Sequence, residues 1–129
     1  MGFFVRNLGS STPAVGTPLV FSYVRYNAGN GYDNSTGYFT APVSGQYFFM
    51  ATTSSYLNNA SANFHIMVDN TTESYGYSNR INTNNYATTN AVLNVRQGQT
   101  VWVRSNGNRY LFGFETHFSG VLIKPDLQL

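Results

Sequence analysis

Apolar and polar residues alternate in short runs along this chain, and turn residues separate the runs. Nowhere do apolar residues recur at i, i+3, i+4 and i+7 over a helical length, so the pattern predicts strands rather than helices. Phe3 to Val5 reads as the first strand, and Leu19, Phe21 and Tyr23 alternate in the next. A Gly/Asn-rich loop covers 27–37, a short strand 38–40, a Pro-containing turn 42–45 and a long strand 46–53. Phe64, Ile66 and Val68 mark a half-buried strand, and another is expected near 74–79 within the polar stretch 69–90. Residues 91–95 and 100–104 read as a hairpin around Arg96-Gln97-Gly98-Gln99, and 110–123 as the last and longest strand. No repeat or linker interrupts the pattern, so the expectation is one domain over 1–129.

Two strands break the alternation by being apolar on both faces. After Gly45, Tyr47, Phe49 and Ala51 point one way and Phe48 and Met50 the other. In the last strand, Phe112, Phe114, Phe118 and Leu122 share one face, while Leu111, Gly113, Glu115, His117, Val121 and Ile123 share the opposite one. A sheet apolar on both sides needs a second cover. That cover is either another subunit or a third layer of the same chain.

Composition sharpens this. Hydrophobic residues make up 42% of the chain and charged residues 9%, against roughly 25% in ordinary soluble domains. Asn, Ser, Thr and Tyr supply the polar surface instead, which suits hydrogen bonding to polar ligands more than long-range steering. The net charge is +2, and the cations are scattered without a basic stripe, so nucleic acid is not an expected partner. The absence of cysteine removes disulfides, thiolate metal sites and thiol catalysis. No apolar run approaches the roughly 20 residues of a membrane span, so membrane insertion is not expected. No signal peptide opens the chain, and Met1-Gly2 is compatible with removal of a leader or an upstream region.

Candidate chemistry is sparse. The chain has no Gly-x-Ser-x-Gly elbow and no His-Glu-x-x-His, and its carboxylates Asp33, Asp69, Glu73, Glu115 and Asp126 form no recognisable pair. An enzyme is not expected. Sugar sites place planar donors and acceptors beside an aromatic face, and an acidic sugar also calls for Arg. Two clusters offer this: Arg80 with Tyr86, and Arg104 with Asn106, Asn108, Arg109 and Tyr110. Each reads equally as a solvated loop in an Asn-rich chain. Glu115 and His117 share a strand face, as a pH-sensitive pair or as one satisfied polar contact. Asn34, Asn59 and Asn70 begin sequons, a weak pointer to secretion in a chain so rich in Asn, Ser and Thr.

Phe21, Asn27, Tyr32, Phe39, Gly45, Tyr47 and Phe49 stand at the spacing F-x5-N-x4-Y-x6-F-x5-G-x-Y-x-F. This resembles the signature of the complement C1q globular-domain family. The segments 37–42, 97–103 and 118–123 resemble that family's Gly-x-Phe-Thr-x-Pro, Gly-Asp-x-Val-Trp-Val and Phe-Ser-Gly-Phe-Leu runs, in order along the chain. The resemblance implies an all-β, ten-stranded jelly-roll sandwich of the C1q/tumour necrosis factor type, assembling as a homotrimer. It makes Phe48, Met50, Glu115, His117 and Val121 the trimer interface candidates. Two departures stand out: Ala51 occupies the signature's last aromatic position, and Gln99 replaces the hairpin acid. Some family members hold calcium with acidic residues before the final strand. The corresponding loop, 105–109, has no carboxylate, so neither calcium nor another cofactor is expected. The functional expectation is a secreted, lectin-like recognition protein of innate immunity that binds microbial polysaccharides or sialylated glycans. The alternative is an extracellular structural or hormone-like module that binds other proteins.

Overall fold

A computed structural model of the chain describes residues 1–6, 14–55, 62–78, 85–106 and 116–127. Ten strands run in order: β1 (Gly2–Arg6), β2 (Tyr23–Ala28), β3 (Tyr32–Asp33), β4 (Tyr38–Thr40), β5 (Gly45–Ser55), β6 (Phe64–Val68), β7 (Thr71–Gly76), β8 (Asn85–Val95), β9 (Thr100–Ser105) and β10 (His117–Pro125). They form two five-stranded sheets of order β2-β1-β10-β5-β8 and β3-β4-β9-β6-β7, and every pairing is antiparallel. The expected ten-stranded, all-β sandwich is what the chain forms.

The sheets close on one apolar cluster. Phe3, Val5, Tyr47, Phe49 and Phe118 enter it from the first sheet; Phe39, Phe64, Ile66, Val101 and Val103 enter from the second. The rings interlock: Phe3 stacks on Phe39 at 4.7 Å and meets Phe118 edge-on at 4.9 Å, and Phe49 stacks beside Tyr47 at 5.7 Å. Such pairs contribute about 0.5–1.5 kcal/mol each beyond their area burial. Gly120 faces this cluster because a Cβ there would stand 2.6 Å from the Phe3 ring and 2.7 Å from the Phe49 ring. The alternative of a three-layered core falls away, because the described strands make two layers around one core.

The spaced aromatic signature acquires physical roles. The Asn27 side chain donates to the Tyr32 carbonyl at 2.9 Å and accepts from the Tyr32 N–H at 3.1 Å, closing the turn between β2 and β3. Gly45 is required where β5 starts, since a Cβ there would lie 2.5 Å from the Lys124 carbonyl oxygen.

Several sequence expectations need correction. Leu19 and Phe21 are buried, as their alternation predicted, but strand pairing starts only at Tyr23. Just before it, Gly16, Thr17 and Leu19 exchange backbone bonds with Ser105 and Val103 around an isolated bridge, Pro18 to Arg104; proline donates no backbone bond that would extend it into a ladder. The expected 27–37 loop contains the end of β2 and all of β3. The strand expected at 74–79 lies earlier, at Thr71–Gly76. The largest correction concerns the expected hairpin of 91–95 and 100–104. β8 and β9 belong to opposite sheets, and the four residues between them cross from one layer to the other. Their polar groups are satisfied by neighbouring loops. Ala41 accepts from Gly98 N–H and donates to the Gln99 carbonyl, while the Asp69 carboxylate accepts from the Thr100 N–H and the Gln99 amide. Of the expected last strand, 110–115 lies outside the described residues and pairing runs from His117.

Candidate functional site

Two outer faces concern function. On the first sheet, the strand register brings residues from five strands into rows. Tyr26, Phe4, Ser119, Met50 and Asn90 form one row, and Ala28, Gly2, Val121, Phe48 and Val92 the next. Val92 and Val121 are 64% and 48% exposed, while Phe48 and Met50 are half-buried. Between Tyr26, Phe48 and Val121 lies an apolar depression of about 290 Å³. The interface candidates Phe48, Met50, His117 and Val121 therefore share one face; Glu115 lies outside the described residues.

His117 stands in the adjoining row, between Arg6 and Thr52. The Phe4 ring meets it edge-on at 5.7 Å, and its Nδ1 is buried without a hydrogen-bond partner among the described residues. Burial first, and the Arg6 charge second, hold its ring below the ordinary imidazole range. In the same row the Arg6 guanidinium lies 5.2 Å from the Tyr23 ring centre.

On the second sheet, the register aligns Arg104 of β9, His65 of β6 and Tyr75 of β7 across three strands. Phe64 and Ile66, flanking His65, are fully buried, so the alternation turns these three side chains outward. The His65 and Tyr75 rings are 5.6 Å apart, and the Thr72 hydroxyl is 3.3 Å from His65 Nδ1. Burial and then the Arg104 charge lower the His65 pKa. The Arg104 guanidinium rests against Gly16, where an added Cβ would stand 3.4 Å from it. Asn106 follows β9 as an exposed residue, and Tyr75 and Tyr77 are 68% and 69% exposed.

The two predicted sugar clusters fare differently. Tyr86 projects from the outer face of the first sheet, opposite Ser54, far in the fold from Arg104 on the second. Arg80, Asn108, Arg109 and Tyr110 lie outside the described residues. Arg104 instead shares a register row with His65 and Tyr75, the latter from the Asn/Tyr-rich stretch 75–86 that the sequence also offered as a sugar site. That stretch was the available signal; that Tyr75 falls in one row with Arg104 depends on which strands pair. Of the 105–109 loop, Ser105 and Asn106 are described and offer no carboxylate, and no cluster of three His, Asp or Glu suited to a metal ion occurs among the described residues. Among those residues, no helix is long and apolar enough to cross a membrane.

Comparison with known proteins fits this geometry. The family model described as C1q domain matches residues 3–123. Complement C1q tumor necrosis factor-related protein 3 of Homo sapiens is 32% identical over 117 residues, covering 90% of this chain and 47% of the relative. Its Mus musculus counterpart is 31% identical over 118 residues, with the same coverage. The chain thus spans about half the length of the curated relatives it matches. Among solved structures, the globular domain of zebrafish complement 1qA superposes with a TM-score of 0.83 at 21% identity, covering 97% of this chain and 98% of that one. Eiger TNF from S. frugiperda superposes with a TM-score of 0.80 at 14% identity, covering 99% and 95%. At these identities the two structures show the shared fold alone.

Proposed function

Since this chain belongs to the C1q domain family, we propose that it is an extracellular recognition domain. In this reading the domain spans 1–129, works by binding rather than catalysis, assembles as a homotrimer and takes microbial polysaccharides or sialylated glycans as ligands. The observation that carries the assembly is the outer face of the β2-β1-β10-β5-β8 sheet. Phe4, Phe48, Met50, Val92 and Val121 converge there, and nothing among the described residues covers them. A contiguous apolar face on a small sandwich marks an association surface. Family membership points to two further copies of the chain as its occupants.

The glycan part draws support from the other sheet. One outer row offers Arg, His and Tyr rather than an aliphatic patch, and the exposed Asn106 follows β9. That set matches the polar, ring-bearing surface of a sugar better than the apolar core of a protein interface. Three weak sites on a rigid trimer would gain avidity on a repetitive surface. Calcium is not part of this reading.

The test pairs sedimentation with a microbial-polysaccharide and glycan array, run with and without calcium. Expected are a mass of three chains and calcium-independent binding to a subset of polysaccharides. A monomer at micromolar concentration rejects the assembly. An array without signal rejects the glycan reading and favours the protein-binding alternative.

A further inference from the structure

We propose that the outer face of the β3-β4-β9-β6-β7 sheet carries a subsite for a carboxylated sugar, with Arg104 gripping the carboxylate and Tyr75 and Tyr77 receiving the sugar ring. This inference rests on the glycan reading above and names the sugar class and the place.

Arg104, His65 and Tyr75 sit on three adjacent strands in one register row. Two strand spacings, roughly 10 Å, separate the ends of that row. One pyranose with an acidic substituent bridges such a gap once the long Arg104 side chain leans inward. Tyr75 and Tyr77 project two residues apart at the sheet edge, each more than two-thirds exposed. A tyrosine ring there presents an apolar face with a hydroxyl at its tip, suited to one face of a sugar.

Charge selects the acid. The described carboxylates are engaged or directed elsewhere. Asp33 accepts from Ser35, and Asp69 from Gln99 and Thr100. Glu73 lines a separate cleft with Leu93, Asn94 and Arg96, and Asp126 follows β10. None stands in the Arg104 row. Burial first, and then the Arg104 charge beside it, help keep the His65 ring neutral. A neutral imidazole can then donate and accept toward sugar hydroxyls.

The test measures binding of the full chain to polygalacturonate, to polysialic acid and to fully methyl-esterified polygalacturonate at one ionic strength. At least one acidic polymer should bind about tenfold or more tighter than the ester, and which one does so separates a uronic from a sialic acid ligand. Arg104→Ala should lose about tenfold. Arg104→Lys should recover only part of this, because lysine keeps the charge without the planar fork. Tyr75→Ala and Tyr77→Ala, at exposed positions, should weaken binding several-fold with assembly unchanged. Equal binding of acid and ester overturns the proposal, as does parent-like binding by Arg104→Lys and Tyr75→Ala. Binding to neutral microbial polysaccharides with none to either acidic polymer refutes this subsite and leaves the glycan reading standing; binding to no polysaccharide refutes both.

Discussion

The phenolic oxygen of Tyr32 lies 2.9 Å from both the backbone nitrogen and the backbone oxygen of Phe21, accepting from the first and donating to the second. One side chain thus does for Phe21 what a neighbouring strand does elsewhere, at a position beyond the last backbone bond to β9 and before β2 begins. Burial raises the pKa of the Tyr32 phenol, so it stays a donor at any ordinary pH. Tyr32→Phe strands two buried backbone groups. Urea unfolding should show a loss of about 2 kcal/mol or more, and a variant as stable as the parent would show that water replaces the hydroxyl.

Two glycines should lose stability on mutation to alanine for different reasons and to different degrees. At Gly120 the new Cβ meets the Phe3 and Phe49 rings below 3 Å, so Gly120→Ala should cost about 1–3 kcal/mol through overpacking. At Gly98 nothing lies within 4 Å, and the strain comes from a φ of 90° alone. Gly98→Ala should therefore cost about 1 kcal/mol. Thermal unfolding of the pair checks the order.

The association face can be tested without touching the core. Phe48→Glu places a charge beside Val92 and Val121 while Tyr47 and Phe49 remain packed on the inner side. The variant should sediment as a monomer at concentrations where the parent is a trimer, with a native-like circular dichroism spectrum. A trimeric Phe48→Glu protein would place the interface elsewhere.

Acid should weaken the fold through its histidines. His65 and His117 are both held below the ordinary imidazole range, near 6.5, chiefly because burial disfavours the charged ring. The unfolded chain therefore binds protons first as pH falls, and the native state loses ground. The stability these two rings confer is complete above pH 6.5 and declines as pH falls through their folded values. Melting temperature should drop between pH 7 and pH 5, and less so in His117→Gln. Equal slopes in parent and variant would remove His117 from the account.

Much of the fold was legible because burial leaves a period-2 trace. Phe64-x-Ile66 and Tyr47-x-Phe49 announced inward faces that the structure confirms. Phe48 and Met50 announced a second apolar face before any sheet was known, and they lie on it. What failed was pairing. Residues 91–95 and 100–104 look like a hairpin, since a short Gly-containing turn joins two alternating runs, yet the same turn can equally step between layers. Local sequence does not distinguish these outcomes; contacts from Ala41 and Asp69, far away in the chain, decide between them.

The candidate site shows the same division. The sequence by itself determined an all-β chain with aromatic core positions, an unusually uncharged surface and a two-faced long strand, because these depend on side-chain chemistry and alternation. Only the tertiary structure decided that Arg104 shares a row with His65 and Tyr75 while Tyr86 lies on the opposite sheet. Strand order is a property of long-range pairing, and pairing is chosen by the packing of the whole core rather than by any one segment.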